Sequence, residues 1–380
     1  MNKKIIFSIL SLFIFMGSFA QELANFTGAQ PVVSPKISEK EVSFAISAPF
    51  AASVKLSGSW MAAGTTVDMI KAKTGVWSVS VPLPTPELYT YSFVVDGLSV
   101  NDANNIFQQR DGTRYLSVLL IPGDFTANYF EAKQRGNLSQ VWYESPTLGM
   151  TRRMFIYTPY GYENGTTKYP VLYLLHGAGG DEDAWSTMGR TCQIMDNLIE
   201  KGLAKPMLVV MPNGNPTQVA ARTQMIAEKV VDRNAPGFAD AYVRSIVKDI
   251  VPYVEKNYKV IASPGSRALA GLSMGAGHTI ACTNMFPGVF SYICPLSNGI
   301  RLTPENTAKY DSDFKALKKA GYKLYFLAVG GADGLLTVAQ TLDATLTKNG
   351  LQHTFFITPG GHTWANWRIY LNTFGPLLFK

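Results

Sequence analysis

The chain has 380 residues, 47% of them hydrophobic, which suits two domains with a large core and excludes a disordered chain. Its 34 Lys and Arg outnumber 27 Asp and Glu, for a formal charge of +7. The basic residues are scattered, and the densest group (Lys315, Lys318, Lys319 and Lys323) reads as the solvated face of a helix, which excludes a nucleic-acid-binding stripe.

Met1-Asn2-Lys3-Lys4 is a charged start, Ile5 to Met16 an apolar stretch, and Gly17-Ser18-Phe19-Ala20 a small-residue cleavage site. The apolar stretch is too short to span a bilayer. Residues 1–20 are therefore expected to be a bacterial-type secretory signal cut after Ala20. The expected location is secreted or periplasmic, with no membrane attachment after cleavage. Losing Lys3 and Lys4 takes the charge from +7 to +5. Three cysteines, Cys192, Cys282 and Cys294, leave at least one thiol free in an exported chain. A Cys282–Cys294 disulfide stays undecided from sequence.

Residues 21–123 read as short strands. Val42, Phe44 and Ile46 alternate with polar neighbours, and Trp77, Val79, Val81 and Leu83 share one face of another strand. Leu88 to Val95 ends at Asp96-Gly97, and Arg114 to Leu120 at Pro122-Gly123. Period-two runs between turn residues predict an all-β antiparallel sandwich. Val54-Lys55-Leu56-Ser57-Gly58-Ser59-Trp60, Gly75-Val76-Trp77, the run Tyr89 to Gly97 and Asp102-Ala103-Asn104-Asn105 resemble carbohydrate-binding module family 48. That resemblance implies an immunoglobulin-like early-set sandwich. Trp77 alternates with core residues and reads as packing. Trp60 lies at a strand end and is a candidate for stacking on a sugar or for an interdomain contact. Residues 124–139 are polar and irregular and read as a linker.

From residue 140 to 380 the pattern changes. Arg152 to Tyr157, Tyr169 to Leu175, Met207 to Met211, Arg267 to Leu272, Tyr292 to Leu296, Lys323 to Val329 and His353 to Ile357 are apolar strand-like runs. Helical stretches lie between most of them; in one, Phe238 to Tyr258, Tyr242, Ile246, Ile250, Tyr253 and Val254 recur at helical spacing. Alternating strands and helices predict an α/β fold, a mostly parallel sheet with helices on both faces.

Within that pattern Gly271-Leu272-Ser273-Met274-Gly275 closes an apolar run and opens a helix, the layout of a nucleophile elbow. A serine hydroxyl needs a base and an acid that orients the base. Of the four histidines, His362 follows a strand and Gly360-Gly361, where α/β sheets place functional groups. His353 begins a strand, His278 sits one turn into the elbow helix, and His176 precedes a glycine turn whose geometry it is expected to fix. Asp333 ends another strand run through Gly330-Gly331-Ala332, between the serine and His362. The predicted triad is Ser273, Asp333 and His362, in the chain order of α/β-hydrolases. The oxyanion donors are expected to be the N–H of Met274 and that of Gly177 or Ala178. Trp185, Trp364 and Trp367 are candidates for an acyl or sugar subsite, with packing the competing role for each. No metal or organic cofactor is implied.

Tyr143-Glu144-Ser145, the run Leu148 to Arg153, Tyr157-Thr158-Pro159-Tyr160-Gly161-Tyr162, Tyr173 to Gly180, the serine motif and Gly361-His362-Thr363-Trp364 resemble the esterase D group, and within it carbohydrate esterase family 1. The resemblance covers Gln140 to Lys380. It implies an α/β-hydrolase, the same triad and a backbone oxyanion hole, acting on acylated plant polysaccharide such as arabinoxylan. Feruloyl esterase is the favoured activity. Acetylxylan esterase, siderophore esterase, a mycolyltransferase-type acyltransferase and an inactive polysaccharide-binding protein stay open, as does the oligomeric state.

Overall fold

The computed structural model describes residues 32–112, 114–221 and 238–380. The leader read at residues 1–20 lies outside the described residues.

Ten strands form the N-terminal half: β1 (Lys36–Ile37), β2 (Glu41–Ser47), β3 (Val54–Gly58), β4 (Val67–Asp68), β5 (Ile70–Lys71), β6 (Val76–Pro82), β7 (Leu88–Val95), β8 (Leu98–Val100), β9 (Gln108–Asp111) and β10 (Arg114–Leu120). They pair antiparallel into two sheets, β1-β2-β6-β5 and β4-β3-β7-β10-β9, with β8 on β7. The alternation is the cause. Along β6, Trp77 and Val81 are buried while Ser78, Ser80 and Pro82 face water. Val42, Phe44, Leu56, Trp77, Tyr91 and Phe93 fill the space between the sheets. The Tyr91 hydroxyl donates to Asp102 at 2.7 Å and accepts from the Asn105 amide at 3.0 Å. The Asp-x-x-Asn element is therefore a buried polar tie between loop and sheet, held together because a buried polar atom without a partner is costly.

Among the described residues, eight strands form a third sheet: β11 (Asn137–Ser145), β12 (Met150–Thr158), β13 (Val171–Leu175), β14 (Leu208–Pro212), β15 (Arg267–Leu272), β16 (Tyr292–Leu296), β17 (Leu324–Gly330) and β18 (Thr354–Thr358). Their order is β11-β12-β14-β13-β15-β16-β17-β18, and β12 runs against its neighbours. From β14 to β18 the pairing is parallel. Every residue of β13, β14 and β16 is buried, because helices cover both faces of a parallel sheet. Those helices include α1 (Ala184–Thr187), α2 (Thr191–Glu200), α3 (Phe238–Ser245), α4 (Val251–Asn257), α5 (Met274–Met285), α6 (Pro304–Ala320), α7 (Leu336–Lys348) and α8 (Trp364–Phe374). The architecture is that of an α/β-hydrolase. The helix expected over Phe238 to Tyr258 is present, with a π turn at Ile246–Ile250 joining α3 to α4. All three cysteines are free, so Cys282 and Cys294 are not bridged.

Residues 124–139 correct the reading of a linker. Asp124–Tyr129 is a short 3-10 helix, and β11 already begins at Asn137. Tyr129 is fully buried beneath the Arg368 guanidinium, and its carbonyl accepts from Arg190 at 2.7 and 3.0 Å. The Gly136 N–H donates to Asp196 at 2.8 Å. Polar composition concealed a segment tied down at both ends.

Candidate active site

Successive connections leave β13 toward β14 and leave β15 toward β16, so the sheet order reverses between β13 and β15. Open α/β sheets form their crevice at the carboxyl ends of strands flanking such a reversal. The loop after β13 carries His176, Gly177 and Ala178, and β15 runs straight into Ser273.

Ser273 caps α5 with φ 52° and ψ −113°, a conformation that costs a non-glycine residue about 1–3 kcal/mol. Its surroundings impose it. The Ser273 N–H donates to Leu296 at 2.8 Å, and its carbonyl accepts from the Asn298 amide at 2.8 Å and from the N–H groups of Ala276 and Gly277. The two motif glycines permit the turn. A Cβ on Gly271 would meet the Gly275 carbonyl oxygen, and one on Gly275 would lie 2.6 Å from the His176 oxygen.

Asp333 follows β17 and His362 follows β18. The His362 Nδ1 lies 2.9 Å from Oδ2 and 3.1 Å from Oδ1 of Asp333. The Asp333 carboxylate is wholly buried, whereas the imidazole is 35% exposed. With Nδ1–H donating to the carboxylate, Nε2 is left with a free lone pair. The Asn366 amide holds the Gly361 carbonyl at 2.8 Å, and the Trp367 ring meets the His362 ring edge-on at 5.0 Å.

Ser273 and His362 line one pocket of about 240 Å³. Gly177 and Ala178 lie along its wall, and a Cβ on Gly177 would approach Leu272 at 2.6 Å. Met274 is the first residue of α5, at the positive end of the helix dipole. Ala184, Met188, Leu272, Trp364 and Trp367 supply the apolar lining. Two of the four tryptophans singled out from sequence therefore reach the pocket. Trp367 has a second duty, since its indole N–H donates to Ser297 at 3.0 Å. Trp185 does not line the pocket. It is buried, donates to the Leu175 carbonyl at 2.9 Å and packs edge-on against Trp364, so its role is packing. Trp60 stacks on Phe44 at 5.8 Å and lines a separate groove of the N-terminal half with Tyr89 and Leu83.

His176 takes no place on the pocket wall. Its Nε2 accepts from the Gly214 N–H at 2.6 Å, which puts the proton on Nδ1, 2.7 Å from the Gly177 carbonyl. Burial holds its pKa below the ordinary histidine value. An unfolded histidine titrates near about 6.5, so below that pH the unfolded chain binds a proton the folded one resists. This contribution to stability is fully present above about pH 6.5 and is lost as pH falls. The unfolding free energy from urea titrations should fall between about pH 7.5 and pH 5, and fall less in His176→Gln. Equal drops in both proteins would refute the assignment.

Four contributors escaped the sequence reading. Asn298 sits in the loop after β16 and Asn366 in the first turn of α8, and they hold the backbones of Ser273 and Gly361. Met188 and Asp111 line the pocket, and Asp111 arrives from the N-terminal half at the tip of the β9–β10 hairpin. A strand-end position was the available signal for Asn298; nothing local marks Asn366, Met188 or Asp111. Among the described residues no group of three or more His, Cys, Asp or Glu could hold a metal ion.

The 177–183 loop is braced by three acids. Asp181 pairs with Arg110 of β9 through both guanidinium nitrogens, one at 2.7 Å. Glu182 pairs with Arg153 at 2.7 Å and accepts from the Ala221 N–H. Asp183 lies 3.4 Å from the Arg110 Nε. Arg368 of α8 spans the two halves, donating to the Met188 carbonyl at 2.7 Å and to Glu87 at 2.9 Å.

The chain is similar to known esterases. A Xylanibacter ruminicola protein named endo-1,4-beta-xylanase/feruloyl esterase is 32% identical over 90% of this chain. The chain spans 45% of that relative's length. A feruloyl esterase module from Clostridium thermocellum, solved with sinapinate, superposes with a TM-score of 0.55 at 22% identity, covering 68% of this chain and 92% of its own. The enterobactin esterase of Shigella flexneri gives 0.60 at 15% identity, covering 90% of this chain and 95% of its own. At these identities the two structures speak for the fold alone. The family model described as "Putative esterase" matches residues 145–374, the greater part of the chain, and the chain belongs to that esterase family.

Proposed function

We propose that this protein is a serine carboxylic-ester hydrolase that removes feruloyl groups from xylan or arabinoxylan. The observation that carries it is a pocket where Ser273 and His362, the latter bonded to Asp333, meet the apolar side chains of Met188, Leu272, Trp364 and Trp367. A hydroxycinnamoyl ring brings an aromatic face to set against the partly exposed Trp364, which an acetyl group lacks. The Xylanibacter ruminicola relative, whose name includes feruloyl esterase, supports the same acyl group.

In the proposed reaction the Ser273 Oγ attacks the ester carbonyl while His362 Nε2 takes its proton. Asp333 steadies the imidazolium. The N–H groups of Met274 and of Gly177 or Ala178 receive the oxyanion, and His362 returns the proton to the departing sugar alcohol. Water then attacks the acyl-enzyme by the same route, releasing ferulate and restoring Ser273. The Met1–Ala20 leader is proposed to export the chain. Residues 21–123 are proposed as a family 48-like module and 140–380 as the catalytic domain.

A siderophore esterase is the second reading, because the enterobactin esterase covers 90% of this chain and so both of its halves. The test gives the mature chain methyl ferulate, feruloylated arabinoxylan oligosaccharide, acetylated xylo-oligosaccharide and a catecholate trilactone, and quantifies each free acid. Ferulate should be released fastest. Acetate alone would move the assignment to an acetylxylan esterase, and trilactone cleavage alone to a siderophore esterase. Acyl transfer to a sugar outpacing release to water would make it an acyltransferase.

A further inference from the structure

We propose that Asp111, carried by the N-terminal half, sets substrate specificity in the Ser273 pocket by accepting a hydrogen bond from a hydroxyl of the bound ester. The inference rests on the hydroxycinnamoyl-ester reading and adds to it the group that the pocket recognises.

The pocket is lined by Ser273, His362, Thr363 and six apolar side chains, and Asp111 is the carboxylate on its lining. The β9–β10 hairpin places it there, with Asp111 paired to Arg114 and Arg110 to Tyr115 across the strands. The placement is fixed by its neighbour. The Arg110 side chain is 10% exposed, grips Asp181 through two nitrogens and donates to the Gly112 carbonyl at 2.7 Å. Gly112 sits against the 177–183 loop, where an added Cβ would lie 3.3 Å from the Gly179 oxygen. The hairpin tip and the loop carrying Gly177 and Ala178 are therefore locked face to face.

Asp111 itself remains 42% exposed, and its one ion pair among the described residues is a 3.2 Å contact to the exposed Arg114. Such a carboxylate keeps acceptor capacity, because two oxygens offer about four lone-pair sites. Beside an apolar lining it favours ligands that bring a hydroxyl donor and disfavours anionic ones. Two parts of a feruloylated sugar supply a hydroxyl: the phenol of the acyl group and the hydroxyls of the sugar that leaves.

The experiment measures kcat/KM for the full chain, Asp111→Asn and Asp111→Ala. The substrates are methyl ferulate, methyl 3,4-dimethoxycinnamate (its phenol masked) and a feruloylated arabino-oligosaccharide. A charged hydrogen bond is worth about tenfold or more in such a ratio. If Asp111 reads the phenol, the preference for methyl ferulate over the dimethoxy ester falls about tenfold in Asp111→Ala, and less in the isosteric Asp111→Asn. If it reads the sugar, the preference for the oligosaccharide over methyl ferulate falls instead. Unchanged ratios in both variants, or an equal fall on all three substrates, overturn the inference alone. A wild-type chain that hydrolyses none of the three overturns the hydroxycinnamoyl reading and the inference with it.

Discussion

Ser273→Ala should lower kcat/KM for the best ester by on the order of 10⁴-fold or more, down to whatever the oxyanion donors and binding alone provide. The reason is chemical, since alanine has no oxygen to form the acyl-enzyme. The fold should survive. The contacts that hold the elbow run through the Ser273 backbone, its N–H to Leu296 and its carbonyl from Asn298. Alanine tolerates the positive φ about as well as serine does. Product assays and thermal melts on the same preparation separate the two effects. A folded variant keeping more than about a tenth of wild-type activity would place the nucleophile elsewhere.

Asp333→Asn is expected to be nearly as damaging, about 10³- to 10⁴-fold in kcat, with KM little changed. The wild-type carboxylate accepts from His362 Nδ1 and from the Leu335 N–H at 2.8 Å. An asparagine can give its oxygen to Leu335 and point its NH₂ at Nδ1. That amide donates where the carboxylate accepted, so the imidazole turns over to the tautomer with its proton on Nε2. Nε2 then has no lone pair to take the serine proton. The shape of the site is preserved, so a kcat effect without a KM effect separates lost tautomer control from misfolding. Activity within about tenfold of wild type would remove Asp333 from the mechanism.

Most of the catalytic half was legible because its strands are buried on both faces and appear as unbroken apolar runs. Arg267 to Leu272 and Tyr292 to Leu296 match their strands residue for residue. The strand β11 was not legible. It lies at the sheet edge with most of its residues exposed, so it carries no apolar run, and its first residues passed for a linker. The Ser273 and Asp333 positions could be read because each follows such a run, and His362 because Gly360-Gly361 precedes it after the half-exposed strand β18; their order limits the choice. The tryptophans could not be ranked, because a side chain's size does not say which way it faces. Trp185 turned inward to Leu175, and Trp367 divides its contacts between Ser297 and His362. Asp111 was invisible for a deeper reason: its place in the site depends on packing between halves, through Arg110 and Asp181.

The buried arginines that cross between the halves limit how this chain can be recombined. A fragment beginning near residue 140 would leave Arg368 without Glu87 and Asp181 without Arg110. The cut would lose these ion pairs and expose to water the apolar surface packed around them. The same cut would uncover Tyr129's site and open one side of the pocket to water. Shuffling between relatives would therefore have to move the 108–120 hairpin and the 177–183 loop together, as a single heritable block lying across the apparent boundary.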